Sequence, residues 1–338
     1  MGHMVDVSWD VRALDLLQAG PPTPLIEFPA GAPGVRLLLK DESAQPTGSL
    51  RHRHARALFR QGVLDGLITR GTTVVEATGG NAAVAQAWFA RRLALPYVVI
   101  MPGKRSEERA RPVEELGGEC RFVSPPAAIY DVAREVPGHF LDQFGRAAEH
   151  DLAIELCAQV RPDWVVVGAG TGATSATLGR VRRESAGGEG PRVAVADPEN
   201  SAYFPGWTLD VPDYATGMPS RIEGIGRPRI EPGFRPDLVD LVIPVPDAAS
   251  VAAARLIREV TGLPVGGSSG TALWAALELA ERMRGRGESG TVVSVLGDAQ
   301  ERHLATFHDD GWAAAKGLDV RGFEERLRDR TGLTPMGG

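Results

Sequence analysis

The feature that most constrains this chain is a repeated alternation of two patterns. Short runs of consecutive apolar residues are each followed by a stretch with apolar residues at helical spacing. The runs at 35–40, 72–76, 97–101, 120–123, 164–167, 192–196, 238–245 and 291–296 read as strands. The stretches at 50–66, 81–93, 107–116, 127–135, 174–184, 248–261 and 271–284 read as helices. A strand that is apolar throughout has both faces buried, and strands alternating with helices are joined as parallel neighbours by crossover helices. The chain is therefore expected to be α/β, with parallel sheets covered by helices on both faces. An amphipathic helix at 5–18 and a rigid Gly-Pro-Pro-Thr-Pro linker precede the first strand. The Pro/Gly-rich segment 198–236 breaks the rhythm and is too long for a plain connector. Residues 41–48 read as a loop, 142–149 as a joining segment, and the stretch to about residue 330 as partly helical.

With 338 residues, 43% of them apolar, the chain is long enough for two lobes. We expect a smaller lobe at 46–149 and a larger one made of 5–45 plus 150–338. A net charge of −6 argues against nucleic acid as a partner, and no apolar run approaches a membrane span. Cys120 and Cys157 imply no disulfide framework, so a reducing cytoplasm is expected. No signal-peptide pattern opens the chain, and Met1-Gly2-His3-Met4 reads as an expression scar. Only Lys40, Lys104 and Lys316 are lysines, against 34 arginines (37 basic residues minus 3).

Four turns carry candidate chemistry. Gly168-Ala-Gly170-Thr171-Gly172-Ala-Thr174 follows a strand and opens a helix, where backbone N–H groups and the helix dipole favour a phosphate. A plain tight turn is one alternative. A dinucleotide site is another, with Asp197 at the end of the next strand as its ribose acid. Glu76-Ala-Thr78-Gly79-Gly80-Asn81-Ala82 is a second strand-to-helix turn. Gly266-Gly267-Ser268-Ser269-Gly270-Thr271 is a third, with a serine N-cap on a Thr271 helix as its plainer reading. Gln45-Pro-Thr-Gly-Ser49-Leu-Arg51-His-Arg53 leads into a helix that Ser49 could cap, leaving N–H groups to face an anion. Arg51 reads either as a site residue or as an ordinary surface arginine. The seven histidines show no zinc spacing; His52 and His54 point apart on a helix, and no metal is expected. Trp88, Phe89 and Tyr130 read as core, and the charged run at 107–111 as a solvated face.

Taken in order, these motifs resemble the cysteine synthase / cystathionine β-synthase family of fold type II pyridoxal-phosphate (PLP) enzymes, over about residues 8–320. Long matches at 196–201 and 220–229 make the chain most similar to actinobacterial cysteine desulfhydrase / cysteine synthase-like proteins. The resemblance implies the tryptophan synthase β-like fold, a small amino-acid substrate and a homodimer. It implies that Gly168, Gly170, Thr171, Gly172 and Thr174 hold the cofactor phosphate and that Asn81 contacts the phenolic oxygen. By the same resemblance Ser268 pairs with the ring nitrogen, and Thr78, Gly79, Gln143 and Gly224 face the substrate. The family segment reads Pro-Thr-Gly-Ser-x-Lys-x-Arg, and its lysine forms the imine with PLP. Arg51 stands at that position. A lysine can lose its proton and attack, whereas a guanidinium stays protonated. PLP is therefore expected to be held non-covalently or as an amino-acid adduct (an external aldimine).

The resemblance also has departures. Gly79 and Ala82 lack hydroxyls that the family carries, Ala173 replaces a glycine, and the 298–303 segment differs at three places. About ten residues are missing after Gln143. One reading is a diverged enzyme that acts on a cysteine- or serine-like amino acid by β-elimination or β-replacement. A second is a pseudoenzyme that binds a small anion or a partner protein. A third, an engineered Lys-to-Arg variant of an active lyase, is disfavoured because the changes at 79, 82, 173 and 299 accompany Arg51.

Overall fold

The computed structural model describes residues 7–146, 150–185, 190–218 and 220–333. Residues 1–4 and residues 5–6 of the first expected helix lie outside these residues. In chain order, α1 (Val7–Leu16) precedes β1 (Leu25–Phe28), β2 (Val35–Asp41), α2 (Arg51–Leu64), β3 (Val74–Ala77) and α3 (Asn81–Arg92). Next come β4 (Tyr97–Pro102), α4 (Glu107–Glu114), β5 (Glu119–Val123), α5 (Ile129–Glu135) and β6 (His139–Phe140). Then follow α6 (Leu152–Gln159), β7 (Trp164–Gly168), α7 (Ala173–Glu184), β8 (Arg192–Pro198), α8 (Tyr203–Leu209) and β9 (Leu241–Val245). The chain closes with α9 (Asp247–Thr261), α10 (Gly267–Gly285), β10 (Gly290–Leu296), α11 (Asp310–Ala315) and α12 (Arg321–Thr331). Every expected strand and helix is present. The elements not anticipated are β1, β6, α6 and α8, together with short 3-10 turns such as Glu42–Ala44 in the 41–48 loop.

Two compact units result. The first takes residues 7–21, 51–146 and 150, and the second 22–50 with the described residues from 151 onward. The first holds a four-stranded sheet of order β5-β4-β3-β6, parallel throughout. Alternate residues feed opposite faces. Val74, Val99 and Met101 join Phe59 and Phe89 on one side, whereas Val75, Val98 and Ile100 join Ile129 and Ala133 on the other. This is the two-sided burial that continuous apolar strands imply. Ala13 and Leu17 add the apolar stripe of α1 to the first of these clusters. Phe89 is core and Trp88 packs partly buried against it, as expected, while His52 meets Trp88 edge-on and Phe89 at a tilt.

The second unit holds a six-stranded sheet of order β1-β2-β10-β7-β8-β9, parallel except for the β1–β2 pair. Leu37, Leu39, Val166, Ala194 and Val292 pack under α9 and α10; Leu38, Val165, Val193 and Val293 pack under α6 and α7. Helix α10 starts at Gly267, four residues before the expected Thr271, so Ser268 and Ser269 lie in its first turn rather than capping it. Gly270 lies inside this helix. A Cβ there would come within 1.9 Å of the Ser250 carbonyl oxygen on α9, so only glycine lets the two helices approach this closely. The Thr271 hydroxyl then donates to Ser250 Oγ across the contact at 2.8 Å. The long 198–236 segment contains α8, and Tyr203 stacks on Phe234 at 4.3 Å within a small core of its own.

Candidate functional site

In the second unit, β7 ends at Gly168 and α7 begins at Ala173, so Gly168–Thr174 forms the turn between them. Gly172 is the N-cap with φ +85°, and a Cβ there would lie 2.3 Å from the Phe234 backbone nitrogen. The Gly170 carbonyl accepts from Tyr203 OH at 2.6 Å, and the Ser175 hydroxyl donates to the Gly172 carbonyl at 3.0 Å. The turn is thus fixed from behind by its own unit, with the first N–H groups of a twelve-residue helix at its mouth. Gly224 stands beside it. A Cβ on Gly168 would meet the Ile225 side chain at 2.7 Å, and Gly226 N–H donates to the Ala169 carbonyl at 2.8 Å. Gly224 itself has φ +87° and no atom within 4 Å of where a Cβ would stand.

Asp197 is committed elsewhere. It is buried, its Oδ2 accepts the Phe204 N–H at 2.7 Å, and burial pushes its carboxyl up to about 6. It anchors the start of α8, so the dinucleotide alternative loses the acid it needed for a ribose.

Ser268 lies at the opening of α10. Ser269 Oγ accepts the Gly297 N–H at 3.0 Å, whereas the half-buried Ser268 hydroxyl has no hydrogen-bond partner among the described residues. A Cβ on Gly297 would stand 3.2 Å from Ser268 Oγ, which places that hydroxyl at the end of β10. Ser49 does not cap α2. Its Oγ is buried without a hydrogen-bond partner. Lys40 is buried and fully engaged: its amine donates to Thr23 O at 2.8 Å and Gln159 Oε1 at 2.6 Å, and it pairs with Glu155.

In the first unit, Arg51 is the half-buried first residue of α2. One turn along, the buried His54 imidazole is pushed down to about 3, first by burial and then by the charge of Arg51. Thr78, Gly79 and Asn81 occupy the turn from β3 into α3, where Gly80 caps the helix with φ +94°. Thr78 N–H continues the sheet ladder to the Ile100 carbonyl at 3.0 Å, and Gly79 is exposed. Gln143 is buried just past β6; its backbone N–H reaches Glu76 Oε2 at 3.1 Å. Its side-chain amide has no partner among the described residues. Residues 147–149 of the joining segment lie outside the description.

Gly168–Thr174 and Ser268 in the second unit, and Thr78–Asn81 and Gln143 in the first, lie at the carboxyl edge of their own sheet, where open α/β sheets carry ligands. The residue that sequence reasoning passed over is Glu76. It is fully buried, and burial pushes its carboxyl up to about 8. The available signal was a lone acid in a strand that is otherwise apolar. No group of three metal-ligating side chains occurs among the described residues, and no helix there is long and apolar enough to cross a membrane.

The cradle and Ser268 fit a phosphorylated pyridine ring. A turn that excludes a Cβ leaves room for an anion on a helix N-terminus, and the unpartnered Ser268 hydroxyl can pair with a ring atom. Comparison with known proteins points the same way. A sequence profile of the family described as "Pyridoxal-phosphate dependent enzyme" matches residues 16–298. The chain is 43% identical to the L-cysteine desulfhydrase Cds1 of Mycobacterium tuberculosis, over 93% of this chain and 92% of that protein. It is 30% identical to a cysteine synthase of Aquifex aeolicus, over 80% of this chain and 83% of the relative. A crystal structure of cysteine synthase from Entamoeba histolytica superposes with a TM-score of 0.78 at 26% identity, covering 94% and 95% of the two chains.

Proposed function

Because the chain belongs to the family of pyridoxal-phosphate dependent enzymes, we propose that it binds PLP, or a PLP–amino-acid adduct, without a covalent link to the protein. The observation that carries this reading lies in the second unit, where a turn that excludes a Cβ at Gly172 and an unpartnered Ser268 hydroxyl remain, while the sequence places an arginine at position 51. When bound, PLP supplies an electron sink for bond breaking at the α-carbon of an amino acid. The residues Gly168, Gly170, Thr171, Gly172 and Thr174 hold the phosphate on the N-terminus of α7. Ser268 offers the ring nitrogen a neutral hydroxyl, which leaves that nitrogen largely unprotonated and suits elimination or replacement at the β-carbon. Asn81 takes the phenolic oxygen. Thr78, Gly79 and Gln143 take the carboxylate of a cysteine- or serine-like amino acid, and Gly224 leaves space for its side chain.

By the motif resemblance, Arg51 takes the position of the family's attaching lysine. Being permanently protonated, it binds an anion and neither attacks a carbonyl nor removes an α-proton. That incapacity supports a second reading, in which the protein binds the same ligand and does not turn it over. Family membership and two unpaired cysteines support a cytoplasmic homodimer.

Mass spectrometry after borohydride treatment with PLP tests the central point. The unmodified protein should carry no added cofactor mass, and Arg51→Lys should gain it. A reducible adduct on the unmodified protein would overturn the reading. Release of sulfide from cysteine by Arg51→Lys separates the two versions: activity places the deficit at position 51, whereas an inert but PLP-linked variant places it in Gly79, Ala82 and the segment after Gln143.

A further inference from the structure

Resting on the site proposed above, we infer that Glu76 is a positioning residue: its two carboxyl oxygens lock the Thr78–Asn81 turn and the Gln143 segment together, so that both face one substrate carboxylate. Strand β6 is only two residues long and pairs with β3 at Val74↔His139 and Val75↔Phe140. Its ladder runs through His139 N–H to Thr73 O at 2.8 Å and Leu141 N–H to Val75 O at 2.9 Å. A continued parallel ladder would send Gln143 N–H to the Ala77 carbonyl. Instead Asp142 turns into the left-handed region (φ +52°) and the two strands part. Glu76 takes over where the ladder stops. Its Oε2 accepts Gln143 N–H at 3.1 Å and Gln86 Nε2 at 3.3 Å, while Oε1 accepts Ala77 N–H at 2.8 Å. Gln86 is held in turn by Tyr97 OH, which donates to its Oε1 at 2.7 Å.

Both backbone amides released by the end of β6 are thus satisfied by one side chain. Burying a carboxyl is costly unless its oxygens are used, and a residue that only filled this space would be apolar. A carboxyl group, ionised or with its proton turned away from the backbone, presents an accepting oxygen to each side of the gap. An amide cannot, because one of its two arms is an NH2 that would oppose a backbone N–H.

Glu76→Gln in the full-length protein tests this. Two probes titrated by calorimetry share the ring and phosphate: N-(5′-phosphopyridoxyl)-L-serine, which carries a carboxylate arm, and pyridoxamine 5′-phosphate, which does not. The variant should lose about tenfold or more in affinity for the serine conjugate and stay within about twofold for pyridoxamine phosphate. Hydrogen exchange at the Gln143 amide should quicken in the ligand-free variant. Equal loss for both probes, no loss for either, or unchanged Gln143 exchange would each overturn the assignment. If neither probe binds the unmodified protein, the cofactor reading fails, and with it the carboxylate role of Glu76. Glu76→Asp, too short to reach both amides, should show the same selective loss and serves if the glutamine variant does not fold.

Discussion

At the scale of single residues, the first unit contains two buried titrating groups driven in opposite senses. His54 moves from 6.5 to about 3, so its contribution is complete above pH 6.5 and is lost as pH falls through the folded value. Glu76 moves from 4.5 to about 8, so its contribution is complete below pH 4.5 and is lost as pH rises through 8. Asp197, raised from 3.8 to about 6, acts in the same sense as Glu76 but over a lower window. Between pH 6.5 and 8, Glu76 is the one of these three still changing its contribution. The melting temperature should therefore fall across that interval, with a slope of at most about 1.4 kcal/mol per pH unit from this group. Glu76→Gln, which cannot titrate, should flatten the fall. Parallel curves for the two proteins, measured by thermal denaturation in matched buffers, would show that Glu76 is already ionised in the fold.

At the scale of elements, the decisive junction is the turn from β7 into α7. An alanine at position 172 must adopt a left-handed backbone, costing about 1 kcal/mol. Its Cβ would also stand 2.3 Å from Phe234 N and 2.5 Å from Gly233 O, atoms of the backbone that cannot swing aside. Gly172→Ala should lower the melting temperature and abolish binding of pyridoxamine 5′-phosphate, because the turn and the packed 233–234 segment would have to separate. Calorimetry that returned the parent affinity would move the phosphate site elsewhere. The opposite case is α10, where glycine is tolerated in a helix at a cost of about 1 kcal/mol per residue. Close packing on Ser250 and Ala254 offsets that cost at Gly270, which propensity alone does not register.

At the scale of the whole molecule, each compact unit has a sheet with helices on both faces and cores on both sides. The proposed homodimer predicts a sedimentation-equilibrium mass of twice the chain, and a single-chain mass at micromolar concentration would remove it. The amino-acid sequence by itself determined the α/β class, eight of the ten strands in their order, and the glycine-rich turns proposed to carry the site. These follow from local physics: apolar runs bury both faces of a strand, and glycine-rich turns precede helices. It also identified Arg51 as chemically unlike a lysine, since that difference lies in the side chain itself. Tertiary structure decided what depends on distant partners. The four-residue β1 is a strand only because β2 lies beside it. Asp197 serves α8, and Ser49 keeps an unpartnered hydroxyl rather than capping a helix. Glu76 reaches Gln143 across 67 residues of chain. A buried polar group finds its partner through packing, and packing brings together residues whose proximity no local pattern encodes.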